Sequence, residues 1–345
     1  MSKANNLKRC IKCTLPDTFP NISFNEQGLC DYCQEMPDIK DMDKERTELK
    51  KLMDEEIQKS KGKGEYDCIV AFSGGKDSTY TLMHLIKTYD LNCLAVTIDN
   101  GFIAEQAFKN CSTVTESLGV DFLVFKPSSD FMTNMYRTSI KTGGIQNQAT
   151  HKRISSVCNS CINLINNYMI KMALLYEAPI VAGGYIGGQI PKNASMLNMN
   201  LIQKEQMKRP MYEKYNTLFG SGSGKFFFVR DSLIANSARN SITIINPMLT
   251  LPIGEDEIIE SIHELGWVRP QDTGQNSSNC LLNDLGVAVH FKQHKFHAYE
   301  FEVAEQVRSG LMSREVGLRK VTEIPEFSEL TYQMDKIGLT MSDIN

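Results

Sequence analysis

The chain has 345 residues, 41% hydrophobic and 23% charged, which supports two or three compact units and excludes disorder, collagen and coiled coil. Its 37 Lys and Arg against 41 Asp and Glu leave a net charge of −4, which argues against indiscriminate nucleic-acid binding but not against a local basic patch. Ten cysteines stand out. The opening MSKANNLKRC lacks the apolar run of a signal peptide, and no stretch reaches the ~18 apolar residues of a membrane span. The expected setting is therefore a reducing cytoplasm without a membrane partner, where clustered cysteines signal metal or redox chemistry.

Residues 8–33 are turn-rich and frame two cysteine pairs within a small unit at 1–40. The charged segment 38–60 carries a narrow stripe of Leu49, Leu52 and Met53 and predicts a surface helix, so 41–64 reads as a linker closed by KGKGE. Strands are predicted at 66–72, 91–99, 121–127 and 178–184, and helices at 79–89, 103–118 and 161–177. This alternation predicts an α/β unit over 65–250 with a parallel sheet and right-handed crossovers. Residues 190–245 read as less regular, with FGSGSGK (219–225) as a flexible tip. The last unit, 251–345, is expected to be mostly helical, with an acid-led amphipathic helix at 254–267 and a helical tail at 294–320. There is no internal repeat.

The sharpest motif is Ser73-Gly74-Gly75-Lys76-Asp77-Ser78, between a strand and a helix. Its glycines let backbone N–H groups face a phosphate, while the helix start, Lys76 and the two hydroxyls add charge and donors. Asp77 would repel a bare phosphate, so its expected role is to hold Mg²⁺. The bland alternative is a tight strand-to-helix turn. The spacing is not that of a Walker A loop.

SGGKDS after the first strand resembles the pyrophosphate loop of the N-type ATP pyrophosphatases, the PP-loop family, over about residues 65–190. The resemblance implies an α/β fold with a parallel-sheet, Rossmann-like PP-loop domain of the adenine nucleotide alpha hydrolase kind. It also implies ATP cleaved between its α- and β-phosphates, adenylylation of a substrate oxygen, and displacement of AMP by nitrogen or sulfur. On the same basis Asp99 is expected near the adenosine, and Gly183 and Gly184 near the nucleotide and second substrate. Those positions agree with ligand binding at the carboxyl ends of parallel strands.

The spacing Cys10-x2-Cys13-x16-Cys30-x2-Cys33 fits a closed tetrahedral Zn²⁺ site of structural character, with free thiols or a redox centre as alternatives. A unit this small would have no core and would take its folding energy from the metal. CTLPDTFPNISFNEQGLCDYC also resembles the N-terminal knuckle of the N-acetyl sugar amidotransferases, PP-loop enzymes that convert acetamido to acetamidino groups. Cys158-x2-Cys161 opens a helix whose N-terminus would favour thiolates, although two ordinary helix-start cysteines would look the same. The pair resembles the CxxC of PP-loop sulfur-transfer enzymes, in several of which it joins one later cysteine to hold a 4Fe–4S cluster. Cys280, in DTGQNSSNC, is the only cysteine after Cys161 and so the only candidate for that third ligand, with a structural thiol as the alternative.

Cys68 and Cys93 read as core, and Cys111 as a helix residue of minor catalytic interest. The histidines of HFKQHKFH (290–297) suggest a metal site, but His290 and His294 lack a carboxylate spaced as in a known one and so read as solvated or phosphate-facing. Lys225, Arg230, Arg308 and Arg314 could neutralise phosphate but read as charged surface.

The reading these features favour is ATP-dependent thiolation of a small nucleotide or nucleobase, a purine nucleotide included. Its catalytic set is Lys76, Asp77, Cys158, Cys161 and Cys280, with a separate sulfur donor. Amidation of an acetamido sugar with ammonia from a glutaminase partner is the alternative. Transfer-RNA thiolation comes next, disfavoured by the charge. A binding module with a degenerate nucleotide site is opposed by the intact SGGKDS. The reading is compatible with a homodimer.

Overall fold

The structure, a computed structural model, describes residues 3–144 and 148–344. Residues 1, 2, 145–147 and 345, which the expected units include, lie outside the described residues. Helices α1 (Asp31–Gln34) and α2 (Ile39–Ser60) come first. There follow β1 (Cys68–Ala71), α3 (Lys76–Tyr89), β2 (Cys93–Ile98), α4 (Glu105–Leu118) and β3 (Asp121–Phe125). Next are α5 (Ser129–Thr142), α6 (Ser156–Leu175), β4 (Ile180–Ala182), β5 (Met196–Asn200) and α7 (Leu201–Phe219). Then come α8 (Gly224–Phe227), α9 (Asp231–Asn236), β6 (Ser241–Ile245) and α10 (Glu255–His263). The chain ends with α11 (Asn283–His294), α12 (Glu300–Arg308), α13 (Arg314–Thr322) and α14 (Thr331–Lys336).

The strands form one α/β sheet in the order β3-β2-β1-β4-β6-β5, parallel except for β5, which runs antiparallel to β6. The four expected strands stand, but the irregular reading of 190–245 is corrected by β5, β6 and the helices between them. β5 (MLNMN) is a half-exposed edge strand, so its sequence lacks the apolar run that marks a buried one. The FGSGSGK tip is also anchored: Phe227 is buried against Tyr215, their ring centroids 4.5 Å apart.

Strand alternation sends side chains into two cores. Ile69, Val181 and Leu94 face a core that includes α5, α6 and α11, whereas Cys68, Val70, Ala95 and Ile180 face one that includes α2, α3, α4 and α10. Cys68, Cys93 and Cys111 are buried there. The order reverses between β1 and β4, which opens a crevice beyond their carboxyl ends. No helix among the described residues is long and apolar enough to cross a membrane.

The N-terminal knuckle is not without a core. Leu15 and Phe19 bury against Phe296 and Phe301, and Phe19 stacks on Phe301 at 5.7 Å. Arg9 Nη1 meets Glu300 Oε1 at 2.7 Å, with both side chains almost wholly buried. Arg314 donates to the carbonyls of Cys10 and Cys13, at 2.9 Å each, and Arg308 is buried against Glu305. The charged-surface expectation for these two arginines is therefore corrected: they brace the knuckle.

Burial raises the Glu300 carboxyl to about 7, partly offset by Arg9. Stability held by protonated Glu300 is full below its ordinary range and lost as pH rises through about 7. Arg9→Ala leaves a buried carboxylate unpaired, so urea unfolding should show a loss of about 3–5 kcal/mol at about pH 8 and a smaller one at about pH 5.

Candidate active site

β1 ends at Ala71, and the SGGKDS loop carries the chain into α3, whose N-cap is Gly75. Gly74 has φ +70°, and a Cβ there would stand 2.0 Å from the Ala107 carbonyl oxygen, so only glycine fits between loop and α4. The Gly74 carbonyl accepts from Trp267 Nε1 at 2.9 Å. Ser78 Oγ accepts from the Ser73 N–H at 3.2 Å and donates to the Gly75 carbonyl at 3.1 Å. From β4, Gly184 comes so close that a Cβ would lie 3.0 Å from Ser78 Cα.

Lys76 and Asp77 line a cavity of about 130 Å³ together with Glu255, Arg269, Lys320 and Glu302. Lys76 Nζ meets Asp77 Oδ1 at 2.7 Å, while Arg269 and Lys320 meet Glu255 at 3.2 and 2.9 Å. Burial opposes the Lys76 charge, but Asp77, Glu255 and Glu302 outweigh it and hold the amine above its ordinary range. Burial also raises Glu302 to about 7, against the pull of Lys76 and a hydrogen bond from Gln189 Nε2 at 3.1 Å. Three cations suit phosphates, and Asp77 with Glu302 supplies carboxylate oxygens of the kind Mg²⁺ takes.

A second cavity, of about 650 Å³, adjoins the first through Gln189, Ser277, Asn279, Tyr299 and Glu302. Cys158, Cys161 and Cys280 all line it, with Gly183. Cys158 and Cys161 sit in the first turns of α6, where Ser155 Oγ caps the Cys158 N–H at 3.2 Å. Cys280 arrives on a loop that forms an antiparallel bridge with Ile103. Asn100 Nδ2 points at both Cys161 and Cys280 sulfurs, at 3.8 and 3.7 Å, and Tyr136 donates to Cys161 at 3.4 Å. The expected thiolate character is corrected for the bare protein: burial pushes Cys158 up to about 11 and Cys280 to about 12, outweighing their hydrogen bonds.

The four knuckle cysteines have sulfurs within 4.8 Å of one another, as the ligands of a single ion require. Cys13 is lowered by hydrogen bonds from Cys30 and Cys33, both of which are raised by the same contacts. Cys158, Cys161 and Cys280 are not drawn into such a tight group among the described residues. Asp99 lies outside both cavities, paired with Lys126 at 2.7 Å. Lys126, Lys225 and Arg230 line a third cavity of about 700 Å³ beside Tyr168 and Phe226.

Sequence reasoning missed Glu302, Glu255, Arg269 and Lys320, each of which resembles ordinary helix or loop charge in isolation. It also missed Asn100, next to the expected Asp99. The buried state of His290 and His297 corrects their solvated reading.

Residues 67–195 match the family model described as queuosine biosynthesis protein QueC. An uncharacterized protein of Methanocaldococcus jannaschii is 26% identical over 325 residues, covering 92% of this chain and 94% of that one. Among solved structures, U34-tRNA thiolase NcsA from Methanococcus maripaludis, with its 4Fe–4S cluster, aligns over 90% of this chain and 88% of that one at 14% identity and TM-score 0.33. NH3-dependent NAD synthetase from Campylobacter jejuni aligns over 67% and 75% at 12% identity and TM-score 0.34.

Stability carried by protonated Glu302 is likewise full below its ordinary range and lost as pH rises through about 7. Glu302→Gln should therefore melt a few degrees higher than wild type at about pH 8 and with it at about pH 5, read by calorimetry.

Proposed function

We propose that this chain, a member of the PP-loop ATP pyrophosphatase superfamily, is an ATP-dependent thiolation enzyme acting on a carbonyl oxygen of a small nucleotide or nucleobase. The substrate oxygen attacks the α-phosphorus of ATP, and pyrophosphate leaves. A sulfide-level nucleophile then adds to the activated carbon, and AMP departs with the former carbonyl oxygen. Lys76 lines the cavity that would take the phosphates, beside the start of α3, and Asp77 with Glu302 would hold Mg²⁺.

The observation that carries the reading is Cys280, set in one cavity with Cys158 and Cys161 and adjoining Lys76 and Asp77. Amidation needs no third cysteine there. These three residues would hold a 4Fe–4S cluster, which when bound offers an open iron to the incoming sulfide. Asn100 and Tyr136 aim their donors at the sulfurs and favour the thiolate form in its presence. Cys10, Cys13, Cys30 and Cys33 would hold a structural Zn²⁺ with no open position. A reducing cytoplasm keeps such sites intact, and the sulfur donor is a separate partner.

Transfer-RNA thiolation is a second reading. The third cavity favours it, because Lys126, Lys225 and Arg230 stand beside aromatic faces there.

Mass spectrometry of reactions with ATP separates the readings, using sulfide or ammonia and a panel of nucleotides, nucleotide sugars and transfer RNA. Exchange of oxygen for sulfur in a small nucleotide is expected. Exchange for nitrogen in a sugar would replace the reading with amidation, and sulfur appearing only in RNA would move the substrate.

Lys76→Ala and Asp77→Ala should abolish pyrophosphate release with the circular dichroism spectrum unchanged. Unaltered release by either would overturn the ATP assignment. Anaerobically purified protein should be brown, and Cys158→Ser should be colourless and inactive in thiolation.

A further inference from the structure

Three imidazoles converge beside the knuckle and outside the linings of both active-site cavities. His290 and His294 stand one turn apart on α11, and His151 lies on the 3-10 turn Gln148–Lys152. Their ligand nitrogens all lie within 4.8 Å of one another. The His294 ring centroid is 4.5 Å from that of His290 and 5.1 Å from that of His151.

Among the described residues, neither ring nitrogen of buried His290 has a hydrogen-bond partner, nor does Nδ1 of buried His151. A neutral imidazole carries one donor and one lone pair, and leaving either unmet in a protein interior is unfavourable. His297 is engaged otherwise, its Nδ1 accepting from the Tyr299 N–H at 3.1 Å.

We propose that His151, His290 and His294 form a second metal site, separate from the four-cysteine cluster, that takes a divalent transition ion of the zinc class. Three neutral nitrogens at i, i+4 and one distant position supply the imidazole donors such ions favour and leave a fourth position for water. The site also has a place in the architecture. His151 stands just before Ser155, the cap of the helix bearing Cys158, and His290 sits on the helix that follows Cys280. At Gly286 of that helix a Cβ would come within 2.9 Å of Ser155 Oγ and 3.6 Å of Cys158 Sγ. The ion clasps the two segments that deliver the cavity cysteines.

The test is metal analysis of the full chain purified without chelator, together with His294→Gln and His151→Asn. Zinc should fall by about one equivalent in each variant. In the cobalt-loaded protein, ligand-field bands should weaken while the thiolate-to-cobalt band of the knuckle persists. Equal zinc and equal cobalt spectra in wild type and both variants would overturn the proposal. Zinc-edge X-ray absorption of the unmodified chain decides the matter even where a variant does not fold. A nitrogen shell beside the sulfur shell is expected, and a sulfur-only shell would reject the site.

Discussion

Two backbone hydrogen bonds, Ala104 N–H to Asn279 O at 2.9 Å and Leu281 N–H to Phe102 O at 2.8 Å, join loops far apart in sequence. Between them Cys280 pairs with Ile103, and Ser277 Oγ accepts from the Cys280 N–H at 3.1 Å. This short ladder fixes the C-terminal loop at the carboxyl edge of the sheet. On one side it places Cys280 opposite Asn100 and Cys161. On the other it places Ser278 Oγ 3.0 Å from the Lys76 N–H, at the start of α3. The nucleotide loop and the cysteine cavity thus share one anchor. The proposed reaction, two successive steps on one bound substrate, would require such a shared wall, since a loosely held loop would separate the activated carbon from its nucleophile.

Charge at the loop is close to balanced before any ligand arrives. Lys76, Arg269 and Lys320 face Asp77, Glu255 and Glu302 in a cavity of about 130 Å³. Buried ions that pair only with one another seldom repay their desolvation, so the arrangement is better understood as a cradle for a larger charged guest. Nucleotide phosphates would take the cations and a divalent ion the carboxylates, each replacing a lost hydration shell. Glu302, raised to about 7, is the member most readily switched by such an ion, because its ionised form is the least well supported.

Local chemistry was legible in the sequence where one short segment carries it. SGGKDS announced its own turn, and the knuckle spacing announced four converging sulfurs that the fold does gather. Strands β1, β2 and β4 were visible because buried parallel strands are uniform apolar runs, and β3, a half-exposed edge strand, because DFLVF still keeps an apolar run. β5 was not, since an edge strand with polar residues has no such run. The charged cradle was illegible for a different reason. Glu255 opens α10, Glu302 lies in α12 and Lys320 in α13, and only tertiary packing brings them to Lys76. The histidine pair of α11 had a readable i, i+4 spacing, but its third member comes from another part of the chain.

Helix α12 ties these parts together. Glu300 reaches Arg9 of the knuckle, while Glu302 accepts from Gln189 and lines both active-site cavities. Phe301, between them, stacks on Phe19 and lies beneath the Arg153 guanidinium, 4.3 Å from its ring centroid. Arg153 in turn donates to the Gly188 carbonyl at 2.7 Å, and Gly188 sits so close to α12 that a Cβ would meet Glu302 Cα at 2.4 Å. Three consecutive residues therefore serve the knuckle, the loop after β4 and the nucleotide cradle. The knuckle is seated on α12 by the Arg9–Glu300 pair and the Phe19–Phe301 stack, and so helps to hold the carboxyl that, among the described residues, both cavities share.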